Sequence, residues 1–250
     1  MRDGPMIEIR ELRKEFSMSS SGIGSVKTLL LWWKRRQIVT FEVLKGISFD
    51  VMPGECVAVV GRNGAGKSTL LSLLARVYKP TAGSVAMHGR VAPLLELGAG
   101  FHPDLSGYEN IYFNAIILGL TRKQIKERID KIIEFSELAS HIHAPTRTYS
   151  SGMLARLGFA VAVHVDADIL IVDEVLAVGD YEFERKCYTK IDEFRAGGGT
   201  ILFVSHNMES VHRVADRCVW LHQGTIKKIG PPGEVVPEYE STPLPTDAAP

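Results

Sequence analysis

GRNGAGKST, that is Gly61-Arg62-Asn63-Gly64-Ala65-Gly66-Lys67-Ser68-Thr69, decides how this chain is read. Its spacing is that of a phosphate-binding loop, G-x-x-x-x-G-K-[ST]. The apolar run at 55–60 before it has the pattern of a buried strand, and 70–76 after it reads as a helix. Glycine lets the backbone wrap around a phosphate with no side chain in the way. Backbone N–H groups then point inward, and the helix N-terminus adds favourable partial charge. Lys67 would bring a full positive charge to the outer phosphates, and Ser68 a hydroxyl for Mg²⁺. The bland alternative is a chance match within a Gly-rich turn. The strand and helix on either side weigh against it.

Further along, ILIVDE at 169–174 puts two carboxylates at the end of an apolar strand. In open parallel sheets, ligands sit at that end. Asp173 is placed to hold Mg²⁺, directly or through water, and Glu174 to polarise an attacking water as general base. A strand running into a solvated acidic turn is the ordinary reading of such a segment, and the phosphate loop upstream displaces it. TYSSGM at 148–153 opens an apolar helix over 154–165. By itself it is an N-cap, with Ser150 or Ser151 accepting from open backbone donors. FVSHN at 203–207 sets His206 just past a buried strand, within reach of a γ-phosphate. A lone histidine is ordinarily a surface residue; its place relative to Lys67 and Glu174 favours function.

Elsewhere, 7–16 and 43–51 read as early strands, with a Ser/Gly/Met loop at 17–25 between them. The stretch 110–120 reads as a buried helix. Thr121 and Gln124 make a capping box, opening a helix with Ile125, Ile129, Ile132 and Ile133 on one face. The run 200–204 is another buried strand, and 219–229 a hairpin turning at Gln223 and Gly224. Strands alternating with helices predict an α/β fold, interrupted at about 107–165 by an inserted helical subdomain. From Pro231 the chain is rich in Pro, Glu and Thr, and 241–250 is expected to be a disordered tail. Acidic and basic residues number 29 each, so the charge balance points to no nucleic-acid partner. Cys56, Cys187 and Cys218 are scattered, which offers no disulfide framework or close metal spacing and fits a reducing cytosol. His141 and His143 lack a third ligand and read as a solvated loop. The N-terminus has no signal-peptide h-region, and no apolar run approaches the ~18 residues of a membrane span. Any membrane is therefore expected to be served from outside the bilayer. KTLLLWWKRR at 27–36 sets Trp32 and Trp33 before Lys34, Arg35 and Arg36. That order suits a membrane interface; the blander reading is an apolar patch that docks on a partner or packs locally.

Taken in order, the phosphate loop, helical insert, Ser-Gly signature, strand ending in Asp-Glu and strand ending in Ser-His resemble the ABC ATPase family, from about Ile7 to Glu234. The resemblance implies one domain over 1–240, an α/β P-loop core of ABC type. It would carry a helical subdomain, a small antiparallel β portion on the N-terminal side and an insertion at about 17–40. ATP and Mg²⁺ are the implied cofactors, with Lys67, Glu174 and His206 as catalytic groups. In that family two chains stack head to tail, and the element matching YSSGM serves the partner's site. Ser150, Ser151 and Gly152 would thus bind the opposite ATP. AVGD at 177–180, ending in Asp180, stands where the family has the loop that passes between the two sites. Phe16, closing the first strand, is the candidate to stack on adenine. The family's transmission loop carries a Gln; within LLELGAGF at 94–101, Glu96 or Leu97 aligns there, and Glu96 is favoured as the polar, metal-side replacement. The signature departs from LSGGQ, with Met153 for Gln and Ser151 for the first Gly.

The wording of LLELGAGF, YSSGM and VLAVGD is similar to the subgroup that exports lipid-linked polysaccharides such as O-antigen, teichoic acid and galactan-type polymers. That likeness predicts an ATP-hydrolysing homodimer at the cytoplasmic face of the inner membrane. Its partners would be a separate multispanning channel subunit and a lipid-linked glycan as cargo. Some members carry a further carbohydrate-binding domain, which this chain is expected to lack. The rivals are an ABC ATPase of another transporter, a soluble one acting on DNA or ribosomes, and a nucleotide switch without turnover. Soluble members usually show coiled-coil insertions or two ATPase domains, and Glu174 with His206 argues against a switch.

Overall fold

The computed structural model describes residues 4–19, 38–94, 100–173 and 180–242. The expected interfacial segment at 27–36, Glu96, Leu97, Glu174 and the tail beyond 242 lie outside the described residues.

CVAVV forms β3 (Cys56–Val60), buried at every residue. Apolar residues without polar alternation suit a strand covered on both faces. It lies between two parallel neighbours, β7 (Thr200–Val204) and β8 (Arg217–His222), with Val57 opposite both Leu202 and Arg217. β6 (Ile169–Asp173) pairs with β7, and β5 (Val91–Leu94) with β6. β9 (Thr225–Gly230) closes the far edge antiparallel to β8, through Gln223 and Gly224 with φ of 47° and 82°. Positive φ at both positions matches the twist of a tight hairpin. The sheet order is β5-β6-β7-β3-β8-β9.

Side chains alternate across this sheet, so it has two apolar faces. Cys56, Ala58, Val60, Phe203 and Trp220 face a layer of α5 (Tyr181–Ala196), α6 (Met208–Val214) and α7 (Pro232–Ser241). Val57, Val59, Ile171 and Leu221 face α1 (Lys67–Leu74) and a second, antiparallel sheet. That sheet has the order β2 (Ile38–Val51), β1 (Ile7–Ser19), β4 (Ala82–Met87). The three cysteines are buried, which pushes Cys56 and Cys187 up to about 12 and Cys218 to about 11. None of them is a thiolate nucleophile at neutral pH.

Between β5 and β6 the chain builds a third core from α2 (Gly107–Ile117), α3 (Arg122–Ser136) and α4 (Ser151–Val163). Ser106 with Glu109 and Thr121 with Gln124 form complete capping boxes, each stabilising its helix by about 1 kcal/mol. Ile125, Ile129 and Ile132 recur at helical spacing and are buried, which contributes about 1.5–3 kcal/mol each. Ile133 is half-buried at the margin of that face.

One expectation needs correction, and one element was not anticipated. β1 runs to Ser19 and β2 begins at Ile38, beyond the limits read at 16 and 43, so part of the expected loop is strand. The two strands prolong each other by cross-strand pairing, with Phe16 opposite Phe41. α7 fills a stretch whose Pro/Glu/Thr composition hid it, and reaches Ser241. Pro232 sits in its first turn, where a missing N–H costs little. Val235 and Val236 are buried, and Tyr239 packs edge-on to Trp220 at 5.6 Å.

Candidate functional site

β3, β6 and β7 end at one edge of the sheet, and what leaves them lines a cleft of about 680 Å³. Asn63, Gly64, Gly66, Lys67, Ser68 and Thr69 follow β3; Asp173 ends β6 and Val204 ends β7. The opposite wall is Phe41, Glu42, Val43 and Lys45 of β2, with Gln223 from the hairpin turn.

The loop is tightly built. A Cβ on Gly61 would lie 2.3 Å from the Leu221 carbonyl oxygen. Gly66 has φ of +105°, and a Cβ there would come within 2.8 Å of Leu44 Cδ2. Gly66 N-caps α1, so the turn that L-residues disfavour also sets the helix start. Lys67 is 8% exposed, and its Nζ donates to the carbonyls of Gly61 at 2.7 Å and Arg62 at 3.1 Å. A desolvated ammonium is thereby satisfied within the loop it serves. The buried Ala65 accepts from Gly224 N at 3.1 Å, and Gly224 O accepts from Lys45 N at 2.8 Å. The hairpin turn thus clamps the loop to β2. Arg62 Nη2 donates to the Thr242 carbonyl at the end of α7, a cation at the negative end of a helix.

Backbone N–H groups at a helix start together with Lys67 suit a polyphosphate. The exposed Ser68 hydroxyl and the half-buried Asp173 carboxylate share the cleft. These hard oxygen donors fit Mg²⁺, which takes one or two protein ligands and completes its shell with phosphate and water. Glu42 also lines the cleft, but its carboxylate pairs with Arg13 at 2.8 Å.

The other sequence candidates among the described residues are not part of the cleft lining. Phe16 does not line it; its ring stacks on Phe41 at 6.0 Å and meets Tyr78 edge-on at 5.4 Å. Cross-strand pairing sets the two rings side by side, and Phe41 is the one at the cleft. Ser150 N-caps α4, accepting from Met153 N at 3.2 Å, and is exposed along with Ser151; Gly152 is half-buried. None of these three lines the cleft. Asp180 N-caps α5 through Phe183 N at 3.0 Å and pairs with Arg156 at 2.7 Å. The Phe183 backbone bond, aided by Arg156, holds its carboxyl below the usual range. His206 is exposed just beyond Val204, outside the cleft lining. Glu96 and Glu174 fall outside the described residues. Phe41, Glu42, Lys45 and Gln223 were not singled out as site residues by sequence. The turn at 223–224 was legible, but its contact with the loop is tertiary and left no local signal.

The ABC transporter family model matches residues 44–177. The O-antigen export system ATP-binding protein RfbB of Klebsiella pneumoniae is 51% identical over 244 residues, covering 94% of this chain and 98% of that protein. The teichoic acids export ATP-binding protein TagH of Enterococcus faecalis is 40% identical over 235 residues. That match covers 94% of this chain and 52% of TagH, so the chain spans about half the length of that relative. Among solved structures, the ATP-binding subunit of an ABC transporter aligns with a TM-score of 0.76 at 21% identity, covering 94% of this chain and 93% of that one. The dimeric post-hydrolysis cassette MJ0796, bound to ADP and Pi, aligns with a TM-score of 0.74 at 18% identity, covering 90% and 98%. At such identities the structural likeness speaks to the fold alone. With the family model spanning more than half of the chain and relatives this similar along nearly all of it, the chain belongs to the ABC transporter family as one of its ATPase domains.

Proposed function

We propose that this chain hydrolyses ATP to energise export of a lipid-linked polysaccharide, working as a head-to-tail pair beneath a separate membrane-spanning subunit. The observation that carries the chemistry is the cleft that gathers Lys67, Ser68 and Asp173. The cargo class follows from the O-antigen and teichoic acid export relatives.

In this reading the loop N–H groups and Lys67 hold the β- and γ-phosphates. Ser68 and Asp173 hold Mg²⁺, which when bound neutralises charge on the phosphate oxygens. Glu174 takes a proton from the attacking water as its oxygen bonds to the γ-phosphorus, and the bond from that phosphorus to the bridging oxygen of ADP breaks. His206 attends the γ-phosphate, and Phe41, backed by Phe16, offers a ring face to adenine. Ser150, Ser151 and Gly152 stand at the exposed start of α4 and serve the ATP of the second chain. Toward the membrane subunit, α2 presents Phe113, Ile116 and Ile117, all exposed, an apolar strip of the kind that marks a protein contact. No described helix is long and apolar enough to cross a membrane. The sequence of 27–36, two tryptophans before a basic triplet, suits contact with a membrane surface.

The test is Glu174→Gln. It is expected to bind MgATP normally while turnover falls at least about a hundredfold, and trapped ATP should hold two chains together in gel filtration. Near-normal turnover would remove Glu174 from the role of base. In cells that also carry the membrane subunit, the same variant should abolish surface glycan; continued export would refute the coupling.

A further inference from the structure

Arg156 stands where three elements meet, away from the cleft. It leaves α4 less than two turns after the Ser150 cap. Its Nη1 donates to Glu137 Oε2 at 2.9 Å, and its Nη2 to Asp180 Oδ2 at 2.7 Å. Its guanidinium carbon lies 4.8 Å from the centroid of the Phe183 ring on α5. The Arg156 side chain is 17% exposed while Asp180 is 66% exposed, so the guanidinium is held against protein and its carboxylate partner meets water. The geometry of the contact, rather than burial of the pair, is what orients the two elements. Glu137 is the left-handed C-cap of α3, and it also pairs with Lys186 of α5. Asp180 is the N-cap of α5 and follows Asp173 closely in the chain.

A planar guanidinium engages two carboxylates with separate N–H groups while one face rests on a ring; an ammonium cannot reproduce that geometry. One side chain therefore fixes the start of α4, where Ser150 sits, against the start of α5, where Asp180 sits. We infer that Arg156 is a positioning residue that makes the two contributions of one chain move together: Asp173 toward its own ATP, and Ser150 toward its partner's. This rests on the head-to-tail reading above. Arg156 touches no nucleotide in it and acts through Asp180.

The experiment follows ATP hydrolysis by the full chain across ATP concentrations, in wild type, Arg156→Ala, Arg156→Lys, Asp180→Asn, Glu137→Gln and the double variant Arg156→Ala/Asp180→Asn. Wild type is expected to respond cooperatively. Arg156→Ala should keep the MgATP affinity of the isolated chain within about twofold, lose about tenfold in kcat and drop its Hill coefficient toward one. Arg156→Lys should recover part of the loss. The double variant should be no worse than the poorer single one, because both remove the same link. Glu137→Gln should remain cooperative, since it leaves the Asp180 arm intact. Multiplying effects in the double variant, or an equal loss in Glu137→Gln, would overturn the inference. So would a fall in affinity matching the fall in kcat, which would mark a general folding role. Mixing Ser150→Arg chains with Lys67→Ala chains checks the underlying reading separately. Restored ATP-dependent pairing supports it; a wild type without cooperativity and a mixture without recovery would remove the head-to-tail reading, and the inference falls with it.

Discussion

Gly66 shows how one residue sets both a backbone path and a wall of the cleft. An alanine there would add a Cβ at 2.8 Å from Leu44 Cδ2 and 3.1 Å from the Val43 carbonyl, at a φ of +105°. Left-handed backbone costs an L-residue about 1–2 kcal/mol before any clash is counted. The loop would have to withdraw from β2, carrying its N–H groups and Lys67 with it. Gly66→Ala is therefore expected to lose about 1–3 kcal/mol of stability. Its MgATP affinity should fall about tenfold or more, equivalent to about 1.4 kcal/mol. Urea unfolding and a fluorescent-nucleotide titration measure the two effects. Wild-type affinity would mean that the N–H cradle does not depend on contact with β2.

At the scale of elements, α4 carries a titration that its sequence does not advertise. His164 C-caps the helix, with Nδ1 2.7 Å from the Ala160 carbonyl and Phe135 edge-on to its ring at 5.5 Å. Burial holds its pKa below the ordinary 6.5, and Lys190, Lys131 and Arg128 add to the effect, outweighing the Ala160 bond that favours the proton. Glu193, Glu134 and Glu182 are acids lining the same pocket as this group. The unfolded chain thus binds the extra proton more readily than the folded one. Stability from this group is present above about pH 6.5 and is lost as pH falls below it. Thermal melts should drop between pH 7 and pH 5, and His164→Gln should flatten that drop. An unchanged slope would assign it to other groups. The same helix marks where sequence reading stops. The cap at Ser150 and the isoleucine face of α3 were legible because both are local patterns. The Phe16–Phe41 pairing, the clamp at Gly224 and the Val235–Val236 anchor of α7 were not, because each is created by a segment distant in sequence. Phosphate-loop glycines, by contrast, write a backbone requirement directly into residue type.

Across the whole molecule, the order β5-β6-β7-β3-β8-β9 places the central strand among neighbours that the chain reaches much later. Val57 pairs with Leu202 and Arg217, and the helical layer intervenes along the chain. Such non-local pairing closes a long loop before it gains any contact, which slows folding. Seen in the order of synthesis, β3 and the phosphate loop leave the ribosome first and then wait. At roughly 5–20 residues per second the delay before β7 and β8 appear is on the order of ten seconds. During that interval CVAVV is an uncharged, strongly apolar segment with neither neighbour in place, the composition that invites aggregation. Arrested nascent chains ending at residue 196 should be protease-sensitive and fail to retain nucleotide, whereas chains extended to residue 242 and clear of the exit tunnel should resist protease and bind it. A compact, nucleotide-binding intermediate at 196 would contradict this. The ribosome makes the phosphate loop early and delivers its binding competence late, so the interval between is one in which chaperones, rather than nucleotide, are its partners.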